Sequence, residues 1–295
     1  MILLLFRYTQ LSEQHRNGFL LMRFNIIIRN IFKHINFKIN RKLNKKPVKI
    51  PVLGSVGIDN LMIHKNETWF NKLITDNYEE GTDFLDIGAN VGQTLIKFKT
   101  LYPTGNYIGI EPNPNCVTYI LNLIKCNNWV NTKVIPAGAA NESSVLPLYL
   151  DKVGDLYSQQ GATFIKDYRL TSIPVGELLI PVITTDSVFH SRENNRRISL
   201  IKIDVEGAEF QTLTGLLKTI SIHRPRIVVE VLPANSENFD LRKKINNKIN
   251  GLIKSIDYEI HRIIEGDFEY CLENIAEIPS DLKTVKNCNY LLLPK

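Results

Sequence analysis

Acidic residues are almost missing from the first fifty positions, where Glu13 stands alone against eleven lysines and arginines. The remaining 245 residues carry 25 basic and 29 acidic side chains, so the body of the chain is slightly acidic although the net charge is +6. A protein that acts on nucleic acid needs a basic surface where its chemistry happens, so no specific nucleic-acid partner is expected. Cysteines are also few. Cys116, Cys126, Cys271 and Cys288 have neither the paired spacing of a zinc site nor the density of a disulfide scaffold, and read as reduced, mostly structural thiols. No apolar run is long enough to cross a bilayer. The opening Met1–Phe6 run is cut by Arg7, with no small-residue cleavage site after it, so a cytoplasmic location is the expectation. There is no internal repeat, and 295 residues suit one full-sized core.

From Phe24 onward, Ile27, Ile28, Ile31, Ile35 and Ile39 recur at three- and four-residue steps with Arg23, Arg29, Lys33 and Arg41 between them. That spacing predicts a basic amphipathic helix, followed by a proline-marked linker from Pro47 to Pro51. Residues 1–50 are therefore expected to form an extension, with residues 23–46 able to touch an anionic membrane surface peripherally or to pack on the rest of the chain or a partner. Residues 51–80 read as a lead-in with a helix around Trp69, Phe70, Leu73 and Ile74, and 81–295 as the main domain.

In that domain short apolar runs alternate with helical stretches. Strands are expected at 84–87, 107–110, 133–136, 200–205, 227–231, 258–264 and 290–293; helices are expected near 91–101, 114–126, 208–222 and 237–255. Alternation of this kind predicts an α/β fold with a mostly parallel, seven-stranded sheet and helices on both faces. An insertion at 141–199 carries two further strand patterns, 145–150 and 181–184. Within it Tyr157, Phe164, Tyr168 and Arg169 are candidates either for a lid that stacks on an acceptor or for plain packing.

The most informative stretch is Phe84-Leu85-Asp86-Ile87-Gly88-Ala89-Asn90-Val91-Gly92-Gln93-Thr94. A strand carrying Asp86 runs into a turn with Gly88, Ala89, Asn90 and Gly92 and then into a helix. Backbone N–H groups there can meet an anionic ligand group, and glycine permits close approach. Glu111, after the next strand, is placed to accept hydrogen bonds from ribose hydroxyls. The glycines do not make the G-x-G-x-x-G spacing that seats a dinucleotide pyrophosphate, and Asp86 better matches a ligand with an amino group, such as the methionine end of S-adenosylmethionine.

A second constellation is Ile201-Lys202-Ile203-Asp204-Val205-Glu206-Gly207-Ala208-Glu209. Strand alternation sets Lys202 and Asp204 on one face, with Glu206 just beyond the strand end. Asp204 is expected to border both donor and acceptor, and Glu206, Asp204 and Glu230 are the candidates to take the acceptor's proton. For Asp204 and Glu206 the structural alternative is capping the next helix or pairing with Lys202 or an arginine, Glu209 could serve simply as a helix N-terminal charge, and a divalent ion between the carboxylates is a weaker reading; no metal is expected. His190 and His223 rank behind them as bases.

These two motifs, with Ile180-Pro181-Val182-Ile183-Thr184-Thr185-Asp186 between them, resemble the FkbM family of S-adenosylmethionine-dependent methyltransferases, in order and over residues 82–232. Gln93 and Thr185 depart from the family's usual aromatic and aliphatic residues. The resemblance implies a Rossmann-like class I methyltransferase fold and O-methylation of a sugar, glycan or related natural product. Methylation of a nucleic acid or another small metabolite, or a non-catalytic cofactor-binding, membrane-associated scaffold, are the alternatives.

Overall fold

A computed structural model of the chain describes residues 35–54, 56–150, 152–153, 156–157, 162–165, 176–190, 196–233, 239–280 and 287–295. The chain enters through a hairpin of β1 (Asn36–Leu43) and β2 (Lys46–Leu53), then a 3-10 turn at Asp59–Met62 and α1 (Trp69–Asn77). The parallel core follows: β3 (Asp83–Ile87), α2 (Gln93–Leu101), β4 (Asn106–Ile110), α3 (Pro114–Asn127) and β5 (Thr132–Ile135). The insertion supplies β6 (Gly138–Ala140), β7 (Ser144–Leu150), the short pair β8 (Lys152–Val153) and β9 (Leu156–Tyr157), then β10 (Gly176–Thr184) and α4 (Thr185–His190). The core resumes with β11 (Ile198–Ile203), α5 (Glu209–Thr214), α6 (Leu217–His223), β12 (Arg226–Glu230), α7 (Phe239–Ser255), β13 (Tyr258–Glu265), β14 (Tyr270–Ile275) and β15 (Asn289–Pro294).

The main sheet has the order β14-β13-β15-β12-β11-β3-β4-β5. The five strands from β12 to β5 are parallel to one another; β15 runs antiparallel between β12 and β13. All seven strands read from the sequence form, and β14 adds an eighth at the edge. The sheet is buried on both faces. Phe84, Leu200, Val228 and Leu291 join a core with α1, α2, α3 and the hairpin, while Leu85, Ile201, Ile227 and Leu292 join a second core with α4, α5, α6 and α7. Burial on both sides is why these strands appear in the sequence as continuous apolar runs. The single helix expected over 208–222 is two, divided at Gly215, where an added Cβ would lie 2.1 Å from the Ala140 carbonyl oxygen.

The opening hairpin corrects the sequence reading. Residues 36–46 of the expected helix, and the expected linker to Pro51, form the β1–β2 hairpin; the helical pattern before residue 35 lies outside the described residues. Asn44 and Lys45 both have positive φ, 49° and 62°, the backbone of a two-residue type I′ turn. The prolines are accommodated because Lys49 turns its N–H and C=O outward onto the Asn127 amide, and Pro47 and Pro51 share that outward orientation. Val48, Ile50 and Val52 are buried against α2 and α3. At about 1.5 to 3 kcal/mol for each such side chain, they hold in place a hairpin that alone would be marginal. The apolar residues of 36–46 thus face the core rather than a membrane. Among the described residues no helix is long and apolar enough to cross one.

Candidate active site

At the carboxyl end of β3 the chain turns at Gly88, with φ +85°. Its N–H and that of Ala89 both donate to the Ile110 carbonyl, at 2.9 and 3.2 Å, while the Asp204 N–H donates to the Ile87 carbonyl at 3.0 Å. The ends of β3, β4 and β11 are thereby stitched together. A Cβ at Gly88 would lie 1.8 Å from the Asp204 carbonyl oxygen, so glycine is required both for the backbone angle and for the space. Asn90 takes φ +48°, which asparagine tolerates better than most residues. Its N–H donates to Glu111 Oε2 at 2.7 Å, and the Asn113 N–H donates to Glu111 Oε1 at 2.8 Å. Burial pushes the Glu111 carboxyl up to about 7, against the pull of those two amides.

Asp86 lies deeper and is fully buried. The Tyr107 hydroxyl donates to its Oδ2, and Lys202, its cross-strand neighbour in β11, brings an ammonium to 3.9 Å from Oδ1. Burial raises the Asp86 carboxyl to about 6, with Lys202 and Tyr107 opposing the rise. Lys202 also donates to Asp204 Oδ2 at 2.9 Å. Burial pulls the Lys202 ammonium down, but the Asp204 and Asp86 carboxylates beside it more than compensate and hold it above its ordinary value.

The acidic turn that follows bends through left-handed backbone at Glu206 (φ +51°) and Gly207 (φ +106°). The insertion holds this turn in place, since Thr163 Oγ1 donates to the Glu206 carbonyl at 2.7 Å. Glu209 is buried and accepts the Gly207 N–H at 2.8 Å, the helix-start role that its position allowed. Glu230, at the end of β12, accepts from the Cys288 thiol at 3.3 Å.

A cleft opens over these strand ends. Gly88, Asn90 and Glu111 line one side of it, Asp204 and Glu206 another, and Ala162 and Phe164 of the insertion form a wall. Asp86, Ala89, Gly92 and Glu230 are not in the lining. Asp86 reaches it through Lys202, Glu230 stands behind Asp204, and Gly92, with φ +75°, starts α2 against Leu123. Asp186 caps α6 by accepting from the Lys218 and Thr219 N–H groups. His223 accepts the Ile198 N–H at 3.4 Å within the core, and the His190 side chain lies outside the described residues. Among the described residues no three His, Cys, Asp or Glu side chains are grouped so as to hold a metal ion.

Sequence reading missed Tyr107, Thr163 and Asn60. Tyr107 carries a signal, a hydroxyl two positions before Gly109 in a strand otherwise buried and apolar. Asn60 and Thr163 carry none, because their partners, the Val91 carbonyl at 2.7 Å and the Glu206 carbonyl, are distant in sequence.

S-adenosylmethionine fits these residues. Glu111 uses one acceptor site on each oxygen, and a carboxylate has about four in all, so it retains capacity for two ribose hydroxyls. Asp86 and Asp204 flank the Lys202 ammonium and Glu206 lines the cleft beside Asp204, a set of acids that suits a cationic sulfonium. The chain is similar to several known proteins. Residues 86–269 match the model of the methyltransferase FkbM domain. Methyltransferase 1 of Beauveria bassiana (strain ARSEF 2860) is 24% identical over 150 residues, which are 47% of this chain and 60% of that protein. The structure of an FkbM methyltransferase from Methylobacillus flagellatus KT aligns at 16% identity and a TM-score of 0.42, over 75% of this chain and 50% of the other. A SAM-dependent methyltransferase from Aquifex aeolicus aligns at 10% identity and 0.37, over 77% and 91%. The chain thus spans about three fifths of the Beauveria protein and half of the Methylobacillus one. With the family model covering well over half its length, this chain belongs to the FkbM family of S-adenosylmethionine-dependent methyltransferases.

Proposed function

We propose that this protein methylates a hydroxyl group of a saccharide or related natural product, with Glu206 as the group that accepts the hydroxyl proton and Asp204 as its partner. The observation that carries this reading is that Asp204 and Glu206 line the same cleft as Gly88, Asn90 and Glu111. Gly88, Asn90 and Glu111 would hold the donor; S-adenosylmethionine, when bound, supplies a methyl group on a cationic sulfur. The remaining work belongs to the chain. Asp204, fixed by Lys202, orients the acceptor hydroxyl, and Glu206 takes its proton at a carboxylate oxygen. A hydroxyl has a high pKa, so the proton moves as the oxygen gives up its electron pair and not beforehand. Phe164 offers an aromatic wall, which suits the C–H face of a sugar ring.

The test combines calorimetric titration of donor with transfer of a labelled methyl group to a panel of glycans, nucleic acids and small hydroxylated compounds. We expect a saccharide acceptor, donor affinity little changed in Glu206→Gln, and single-turnover methyl transfer reduced about 100-fold or more in that variant. Near-wild-type rates in both Glu206→Gln and Asp204→Asn would remove the assigned base. A nucleic-acid acceptor would overturn the substrate class.

A further inference from the structure

Charge divides the molecule into two poles. Residues 35–58 and 112–141, which include the hairpin, α3 and β5, carry eight lysines and arginines and no Asp or Glu. Where the hairpin turn meets the last turn of α3, Arg41, Lys42, Lys45, Lys46, Lys49 and Lys125 gather, all of them exposed except the partly buried Arg41. None of the six makes an ion pair among the described residues. A groove between the two elements is lined by Arg41, Lys42 and Lys49 with the amides of Asn40, Asn127 and Asn128, and Arg41 Nε is buried without a hydrogen-bond partner among the described residues. The scaffold beneath these cations is fixed. The Lys49 N–H donates to Asn127 Oδ1 at 2.7 Å and the Asn127 amide donates back to the Lys49 carbonyl at 2.8 Å, while the Asn44 amide ties the hairpin turn to Asn71 and Thr100. Helix α3 starts just after Glu111 at the cleft and runs 14 residues to Asn127, so the basic pole lies about 20 Å away, at the amino ends of the parallel strands.

The side chains of this pole select its partner. Five of the six cations are lysines, point charges suited to the diffuse negative potential of a lipid surface, whereas discrete recognition of nucleic-acid phosphates favours the arginine fork. The large apolar side chains exposed beside them are aliphatic: Leu121, one turn before Lys125, is 53% exposed, and Val130 is 58% exposed. Aliphatic side chains enter the boundary between headgroups and acyl chains. Nucleic-acid bases stack on aromatic rings, and Phe37 and Trp129 are instead packed against the core. We infer that the pole formed by the hairpin turn and the end of α3 docks on an anionic lipid bilayer, its groove of Arg41, Lys42 and Lys49 receiving a phosphate-bearing headgroup while Leu121 and Val130 enter the interface. The carboxylates of the cleft are repelled by the same surface. Charge thus turns the cleft away from the bilayer, toward an acceptor in the aqueous phase.

Sedimentation of the full chain with lipid vesicles tests this. Binding is expected to vesicles that mix phosphatidylserine with phosphatidylcholine and not to phosphatidylcholine alone, and it should fade as salt rises. A variant combining Lys42→Gln, Lys45→Gln, Lys46→Gln and Lys49→Gln should bind the mixed vesicles about 100-fold or more weakly, because each cation near an anionic surface contributes about fivefold. Its melting temperature and its calorimetric affinity for S-adenosylmethionine should match wild type, since these four side chains are exposed and lie outside the cleft. Leu121→Ser combined with Val130→Ser should weaken vesicle binding about tenfold and leave its salt dependence unchanged. Competition with duplex DNA at equal phosphate concentration separates the two polyanions, and the vesicles should win. The inference is overturned by equal binding to both kinds of vesicle, by no binding to either, or by undiminished binding in the quadruple lysine variant or in the Leu121 and Val130 variant. Preference for the duplex would overturn it as well, and would give this pole a nucleic-acid partner.

Discussion

The two sides of the cleft are held by different means. On the side of the glycine turn, Gly88, Ala89 and Asn90 are fixed by backbone hydrogen bonds to Ile110 and Glu111, and the space is defined by how closely main chains approach. On the acidic side, Asp204 is fixed by the Lys202 ammonium and Glu230 by the Cys288 thiol. The first side is a matter of shape and tolerates no added atom at its tightest point. The second is a matter of charge and should respond to pH and to isosteric changes that leave shape intact. One fold thus combines a side set by shape with a side set by charge.

The strongest way to break the contrast is Gly88→Ala. The added Cβ meets the Asp204 carbonyl at 1.8 Å and demands a backbone angle that alanine avoids, so a stability loss on the order of 4 kcal/mol or more is expected, with donor binding abolished. Urea denaturation and calorimetric titration would measure both. Lys202→Met strikes the other side by charge alone. It leaves Asp86 buried without its cation, at a cost of about 3 kcal/mol. Asp86 already sits raised to about 6, so its contribution to stability is present at low pH and lost as pH rises through that value. Removing Lys202 raises the Asp86 carboxyl further, so the variant should be less destabilised below about pH 6 than above it, as denaturation across a pH series can show. The smallest effect sharpens the comparison: Glu111→Gln should weaken donor binding by about 1 to 3 kcal/mol without unfolding the protein. Because the Glu111 carboxyl titrates near about 7, wild-type donor affinity should decline as pH falls through that range, and the Gln variant should lose this dependence.

The central strands of the sheet were legible because they are buried on both faces and carry short apolar runs. The glycine turn was legible because a strand, two glycines and a helix must follow one another there. The hairpin was not. In Ile35, Phe37 and Ile39 the alternation of a strand overlaps the three- and four-residue steps that run from Ile27, and the prolines that suggest a linker are tolerated where their missing N–H groups point away from the partner strand. Strand β14 shows a nearly all-exposed pattern, with Leu272, Glu273 and Asn274 in succession, and offers no periodicity to read. In the site, Asp204, Glu206 and Glu111 could be named from their distance to strand ends. The setting of Glu230 could not, because its partner Cys288 lies 58 residues away in the chain.

The position of β15 bears on when the enzyme can become active during synthesis. This strand is made after every other strand of the sheet, yet it lies inside the sheet, between β12 and β13. Until it leaves the ribosome, the facing edges of β12 and β13 have no ladder to join, and Glu230 lacks the thiol that precedes the strand. A nascent chain can pair β3, β4, β5, β11 and β12 early, but β15 must then slot between strands already made, a long-range closure of the slow kind. During that interval the open edges invite pairing with another nascent chain. Nascent chains in which β15 has not yet emerged would then be the species most dependent on chaperones.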